Sequence, residues 1–155
     1  MTVDDGFDLD AYLRRIAYEG PREPSLGTLR AIVAAHSAAI PFENIDVLLK
    51  HGVRLDVATL HNKLVQRRRG GYCFEQNTLL AAALRALGFS LVTLAAPVVR
   101  GTPEGSATAR AHMLLQVDLP EGPFIADVGY GNLTPTARSP GVQAKSKRRQ
   151  TSPFA

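Results

Sequence analysis

With 155 residues, 45% of them apolar, and no run of about 18 apolar residues, the chain has material for a packed core but not for a membrane span. The formal charge of +4 suggests nucleic acid, but its distribution removes that reading. Lys145, Lys147, Arg148 and Arg149 lie in 139–155, which has no acid, and the rest holds 14 basic against 14 acidic residues.

A single cysteine excludes an internal disulfide, and the acidic start "MTVDDGFDLD" is unlike a secretory leader, so the chain reads as cytoplasmic. Residues 8–18, "DLDAYLRRIAY", put Leu9, Tyr12, Leu13 and Ile16 on one helical face behind an Asp8 cap. "SLGTLRAIVAAHSAAI" repeats the pattern from a Ser25 cap and must stop at Pro41. "PFENIDVLLKHGVRL" reads as a loop-like break. "DVATLHNKLVQRR" is a third helix capped by Asp56, with Val57, Leu60 and Leu64 inward, and "CFEQNTLLAAALRAL" a fourth closed by Gly88. Residues 1–88 therefore read as a helical bundle.

The period then changes. "FSLVTLAAPVV" (89–99), "AHMLLQVDL" (111–119) and "PFIADVGY" (123–130) read as strands, with "RGTPEGSATAR" a loop and "PEG" a turn. Helices followed by an antiparallel sheet make an α+β arrangement, the sheet occupying 89–138. The segment 139–155 has no hydrophobic period, and its Ser, Pro, Lys and Gln content reads as a disordered tail.

Cys73 follows Gly70 and Gly71 in "RRRGGYCFEQN". A lone cysteine is either a small buried hydrophobe or a nucleophile. The glycines permit a turn with positive φ and a close backbone approach. Cys73 falls at the start of the fourth helix, where free N–H groups and the helix dipole lower a thiol's pKa. His112 begins a strand, and Asp127 ends the next one between Ala126 and Val128, where an aspartate needs a partner. Singly, these are a strand histidine and a turn-former; in the order Cys, His, Asp they supply a nucleophile, a base and an orienting group. His36, His51, His61 and His112 lack paired ligand spacing, so no metal is read.

The motifs resemble those of the bacterial arylamine N-acetyltransferases. "RGGYC" with Glu75 and Asn77, "HSAAIPFENIDV" (36–47), "RAHMLLQV" and "ADVGYG" match four family elements in order, over about residues 5–136. The spacings of 39 residues from Cys73 to His112 and 15 to Asp127 also fit. The resemblance implies acetyl transfer from acetyl-CoA to an arylamine or arylhydrazine by a ping-pong route through an acetyl-Cys73 thioester. It implies His112 as base, Asp127 as its orienting partner, and a largely buried Glu43–Arg69 pair bracing the cysteine loop. Phe42, Val98 and Tyr130 would line the acceptor pocket, and Gly129 and Gly131 the coenzyme side.

Family members run well beyond this length, through a bundle, a β-barrel and an α/β lid. The resemblance thus implies a cysteine-protease-like Cys-His-Asp core, an incomplete antiparallel barrel and no lid, with part of the coenzyme A site missing. Two alternatives stay open. A papain- or transglutaminase-like thiol hydrolase explains the three residues but not "IPFEN". A catalytically deficient fragment, acting only as a binding partner through an unpaired strand edge, is the other. Oligomeric state is not legible.

Overall fold

Asp8 opens the first helix as its composition implies: the Ala11 N–H donates to its side chain at 2.9 Å, and α1 runs Leu9–Arg15. A computed structural model describes residues 6–98, 103 and 111–131. The expected tail at 139–155 and, apart from Pro103, the loop over 100–110 lie outside the described residues.

Ser25 caps α2, Leu26–Ala39, by accepting from the Thr28 N–H, and Ile40 turns extended ahead of Pro41. The stretch 41–55 departs from the expected loop. It holds a single helical turn, α3 (Ile45–Leu48), with no buried residue, and Ile45, Val47, Leu48 and Leu49 are all exposed. No apolar face holds this turn. Its backbone bonds do, from Leu48 N–H to the Asn44 carbonyl at 3.0 Å and from Leu49 N–H to that of Ile45 at 2.9 Å.

Asp56 caps α4, Val57–Leu60, and the helix then widens into a π-helical stretch, His61–Gln66. The third helix is thus present but not α-helical throughout. The wider turn brings Leu60, Leu64 and Val65 inward together and leaves Val57 half-buried. It also leaves the Leu64 carbonyl to accept from the buried Arg15 Nε at 3.0 Å, and Arg15 Nη1 reaches the Ala39 carbonyl at 2.8 Å. One arginine therefore ties α1 to the ends of two other helices.

The fourth predicted helix is α5, Cys73–Ala86. It ends at Gly88, whose φ of +87° suits glycine, with Phe89 N–H donating to the Leu84 carbonyl and Gly88 N–H to that of Arg85. The strands are β1 (Ser90–Ala96), β2 (His112–Leu119) and β3 (Gly122–Ala126). They pair antiparallel in the order β1-β2-β3, with Ala96 opposite His112 and Leu115 opposite Ala126. Pro120 and Glu121 make the turn into Gly122, which has φ +116°. Asp127 lies one residue past β3 rather than in it.

One core joins helices and sheet. Tyr12, Leu29, Ile32, Leu64, Leu79, Leu80 and Leu84 pack in the same cluster as Leu115, Val117, Ala126 and Val128. Among the described residues, no helix is long and apolar enough to cross a membrane.

Candidate active site

Two loops meet in front of α5. Phe42 and Gly71 form a parallel bridge, with Glu43 N–H donating to the Gly71 carbonyl at 3.0 Å and Gly71 N–H to that of Pro41 at 3.3 Å. A Cβ on Gly70 would lie 2.2 Å from the Pro41 oxygen, so only glycine fits there. The expected positive φ is at neither Gly70 nor Gly71. Arg68 takes the left-handed turn instead, at φ +54°, and the glycines serve close approach alone.

Glu43 and Arg69 do pair, side chain to side chain, and Glu43 Oε2 also accepts from the Gly70 N–H at 3.1 Å. The pair is not largely buried, as expected from sequence: the Arg69 side chain is 38% exposed. It belongs to a wider network. Arg69 also reaches Asp46 at 3.1 Å, and Lys63 holds Asp46 and Glu75 at 2.7 Å each. Lys63, with Arg69 beside it, holds the Asp46 carboxyl down at about 2. The exposed turn α3 is thereby anchored by charge to the π-helical stretch and α5.

The first turns of α5 bury three polar residues in succession, each directed elsewhere. Glu75 accepts from Lys63 and from the Tyr72 N–H, the second at 3.1 Å. Gln76 faces the joined loops and α2. Asn77 faces the sheet: its amide donates to the Met113 carbonyl at 2.8 Å and to Asp127 Oδ1 at 3.0 Å, and its oxygen accepts from the Val128 N–H.

His112 and Asp127 pair here, and Cys73 lies against the residue before His112. Cys73 is the first residue of α5 and is buried, its Sγ 3.8 Å from the Ala111 carbonyl oxygen. The carbonyls on either side of His112 thus touch Cys73 and Asn77, one helical turn apart on α5. His112 Nε2 lies 2.5 Å from Asp127 Oδ2, with both side chains about nine-tenths buried. A carboxylate only accepts, so the Nε2–H donates to it, and in the neutral ring Nδ1 is the nitrogen that keeps a lone pair. The other Asp127 oxygen accepts from Asn77 and from the Gly129 N–H at 2.8 Å, so both are engaged.

Burial pushes the Cys73 thiol up, opposed by the backbone amides of Met113 and Phe74, and the Asp127 carboxylate adds to the rise. The lowering expected from the helix start alone is outweighed. A thiolate at this position needs a positive partner.

Tyr130 stands edge-on to the His112 ring, centroids 5.0 Å apart. Phe42 is half-exposed, and its ring lies 3.8 Å from where a Gly131 Cβ would be. Val98 sits two residues beyond Ala96, the strand partner of His112, and is exposed. At Gly129 a Cβ would lie 2.5 Å from the Cys73 Cα and 2.9 Å from Asn77 Nδ2. Its missing side chain makes room for Cys73 itself, a different reason from the coenzyme contact expected. Gly131 takes φ +66°.

Sequence reasoning missed Gln76, His36, Tyr12, Lys63 and Asp46. A signal existed for two. The helical period places His36 on the face of Leu29 and Ile32, and Gln76 on that of Leu79, Leu80 and Ala83, where polar side chains require partners. Among the described residues no three metal-ligating side chains converge.

A family model described as N-acetyltransferase matches residues 25–155, taking in the segment that composition set apart. The chain is 46% identical over 129 residues to the arylamine N-acetyltransferase of Escherichia coli (strain K12), covering 83% of this chain and 46% of that protein. It is 46% identical over 134 residues to that of Mycolicibacterium smegmatis, covering 84% and 49%. Among solved structures, the arylamine N-acetyltransferase from M. tuberculosis superposes with a TM-score of 0.82 at 43% identity, over 86% of this chain and 51% of that one. The Mycobacterium marinum protein in complex with CoA gives 0.79 at 45%, over 84% and 49%. The chain spans about half the length of the curated relatives it matches.

Proposed function

This chain belongs to the arylamine N-acetyltransferase family, and on that premise we propose that it moves an acetyl group from acetyl-CoA to an arylamine or arylhydrazine through Cys73. The observation that carries the reading is the buried His112–Asp127 hydrogen bond beside a cysteine at a helix start. His112 Nδ1 takes the thiol proton, and the imidazolium so formed is the positive partner that the buried thiolate requires. Asp127, held by Asn77 and the Gly129 N–H, keeps the ring in one tautomer and stabilises its charge.

The thiolate attacks the acetyl carbonyl, the bond from that carbon to the coenzyme sulfur breaks, and the leaving thiolate takes the proton from His112. The amine then attacks the acetyl-Cys73 thioester. Its proton passes to His112, and the C–S bond to Cys73 breaks to restore the thiolate. Phe42, Val98 and Tyr130 line the acceptor side of this step.

Intact mass after exposure to p-nitrophenyl acetate or acetyl-CoA tests the proposal. One acetyl group on wild type, none on Cys73→Ala, and its discharge by added aniline are the expected results. Labelling that persists in Cys73→Ala, or no labelling from either donor, overturns it. Labelling by the small ester alone confines the proposal to the acyl-enzyme step.

A further inference from the structure

Gln76 lies three residues past Cys73 and is 1% exposed. Its Nε2 donates to the Pro41 carbonyl and to the Gly71 carbonyl, each at 3.0 Å. Both partners only accept, so the amide orientation is decided: NH₂ towards the loops, Oε1 towards His36. Oε1 therefore accepts from His36 Nε2 at 2.8 Å. With its proton on Nε2, His36 has a bare Nδ1, which accepts from the Tyr12 hydroxyl at 2.8 Å. Tyr12 and His36 are fully buried. Flipping the Gln76 amide would set its oxygen against two carbonyls and its NH₂ against a ring N–H. One arrangement satisfies every atom.

The two carbonyls do not depend on Gln76 for a partner. Gly71 O already accepts from the Glu43 N–H, and Pro41 O from the Gly71 N–H. Gln76 adds a third point that joins this paired edge to the helix carrying Cys73. Its contribution is alignment more than satisfaction of a buried group.

We propose that Tyr12, His36 and Gln76 are positioning residues: the relay fixes the Pro41–Gly71 edge against the start of α5, and so holds the Cys73 sulfur in register with His112. The inference rests on the acyl-transfer reading above. Burial pushes His36 down to about 4, in keeping with a neutral ring at the centre of the relay.

The test is the pH profile of Cys73 alkylation by iodoacetamide, with melting followed on the same samples. In wild type the midpoint reports thiolate paired with His112, and His112→Gln should raise it. Gln76→Met keeps the length but loses both donors. Its midpoint should rise in the same direction by about one unit, tenfold in the ionisation constant, with the alkaline plateau unchanged. Tyr12→Phe, which removes one hydroxyl and frees the His36 tautomer, should give a smaller rise and serves if Gln76→Met does not fold. A folded variant with both midpoint and plateau of wild type overturns the relay. If His112→Gln leaves the midpoint unmoved, or neither the ester nor acetyl-CoA acetylates wild-type Cys73, the acyl-transfer reading fails instead.

Discussion

His36 shows how one buried side chain sets a pH limit on the fold. Burial pushes it down to about 4, while an unfolded histidine titrates near 6.5. Between those values the unfolded chain binds a proton that the folded chain does not, so stability is lost as pH falls from about 6.5 towards 4. The loss should approach roughly 3 kcal/mol. His61, buried in the π-helical stretch against Phe7, is also lowered by burial and acts in the same direction. Asp46, held at about 2 by Lys63 and Arg69, contributes only at lower pH, from about 4 downward. Urea midpoints at pH 7, 6, 5 and 4 should therefore decline across the histidine window. His36→Gln should flatten that decline.

At the scale of elements, the joined loops and the return after β3 are the parts on which Cys73 depends. Glu43 links the two loops to each other through Arg69 and the Gly70 N–H, yet Arg69 is open to water and keeps Asp46 as a second partner. Glu43→Ala should cost about 1–2 kcal/mol in chemical denaturation, well short of a fully buried pair. Gly129 is less forgiving. A methyl there meets the Cys73 backbone at 2.5 Å, and neither α5 nor the segment after β3 can yield without moving Cys73 or Asp127. Gly129→Ala should lower the rate of Cys73 acetylation by p-nitrophenyl acetate more than tenfold and destabilise the fold by about 1–3 kcal/mol. Single-turnover labelling and urea titration read the two effects separately.

Across the whole molecule, the division at residue 88 is a change of secondary structure within a continuous core. Leu79 and Leu84 pack in the cluster that includes Leu115 and Val117, and Asn77 ties α5 to both β2 and the segment after β3. Helices and sheet should unfold together. Far-ultraviolet circular dichroism, dominated by the helices, and amide hydrogen exchange of β1–β3 should give coincident transitions. A separate, earlier loss of one signal would show that 1–88 and the sheet are independent units.

The sequence by itself determined much of the local structure. Caps at Asp8, Ser25 and Asp56, the stop at Pro41 and the Gly88 ending follow from groups that satisfy neighbours within a few residues. Cys73, His112 and Asp127 stand out in the sequence because their residue types and order match the motifs of the family it resembles, and the structure pairs the last two. What lay beyond reach depends on partners distant in the chain. The turn at α3 is anchored to the rest of the fold by Lys63 and Arg69, and the π-helical stretch is accompanied by an arginine 49 residues away. The left-handed turn at Arg68 and the reason for Gly129 likewise appear only once strands and loops are docked. So does the Cys73 thiol, whose rise follows from burial, a property that no spacing encodes. Local hydrogen bonding is written in adjacent residues; desolvation and close approach exist only after the chain has packed.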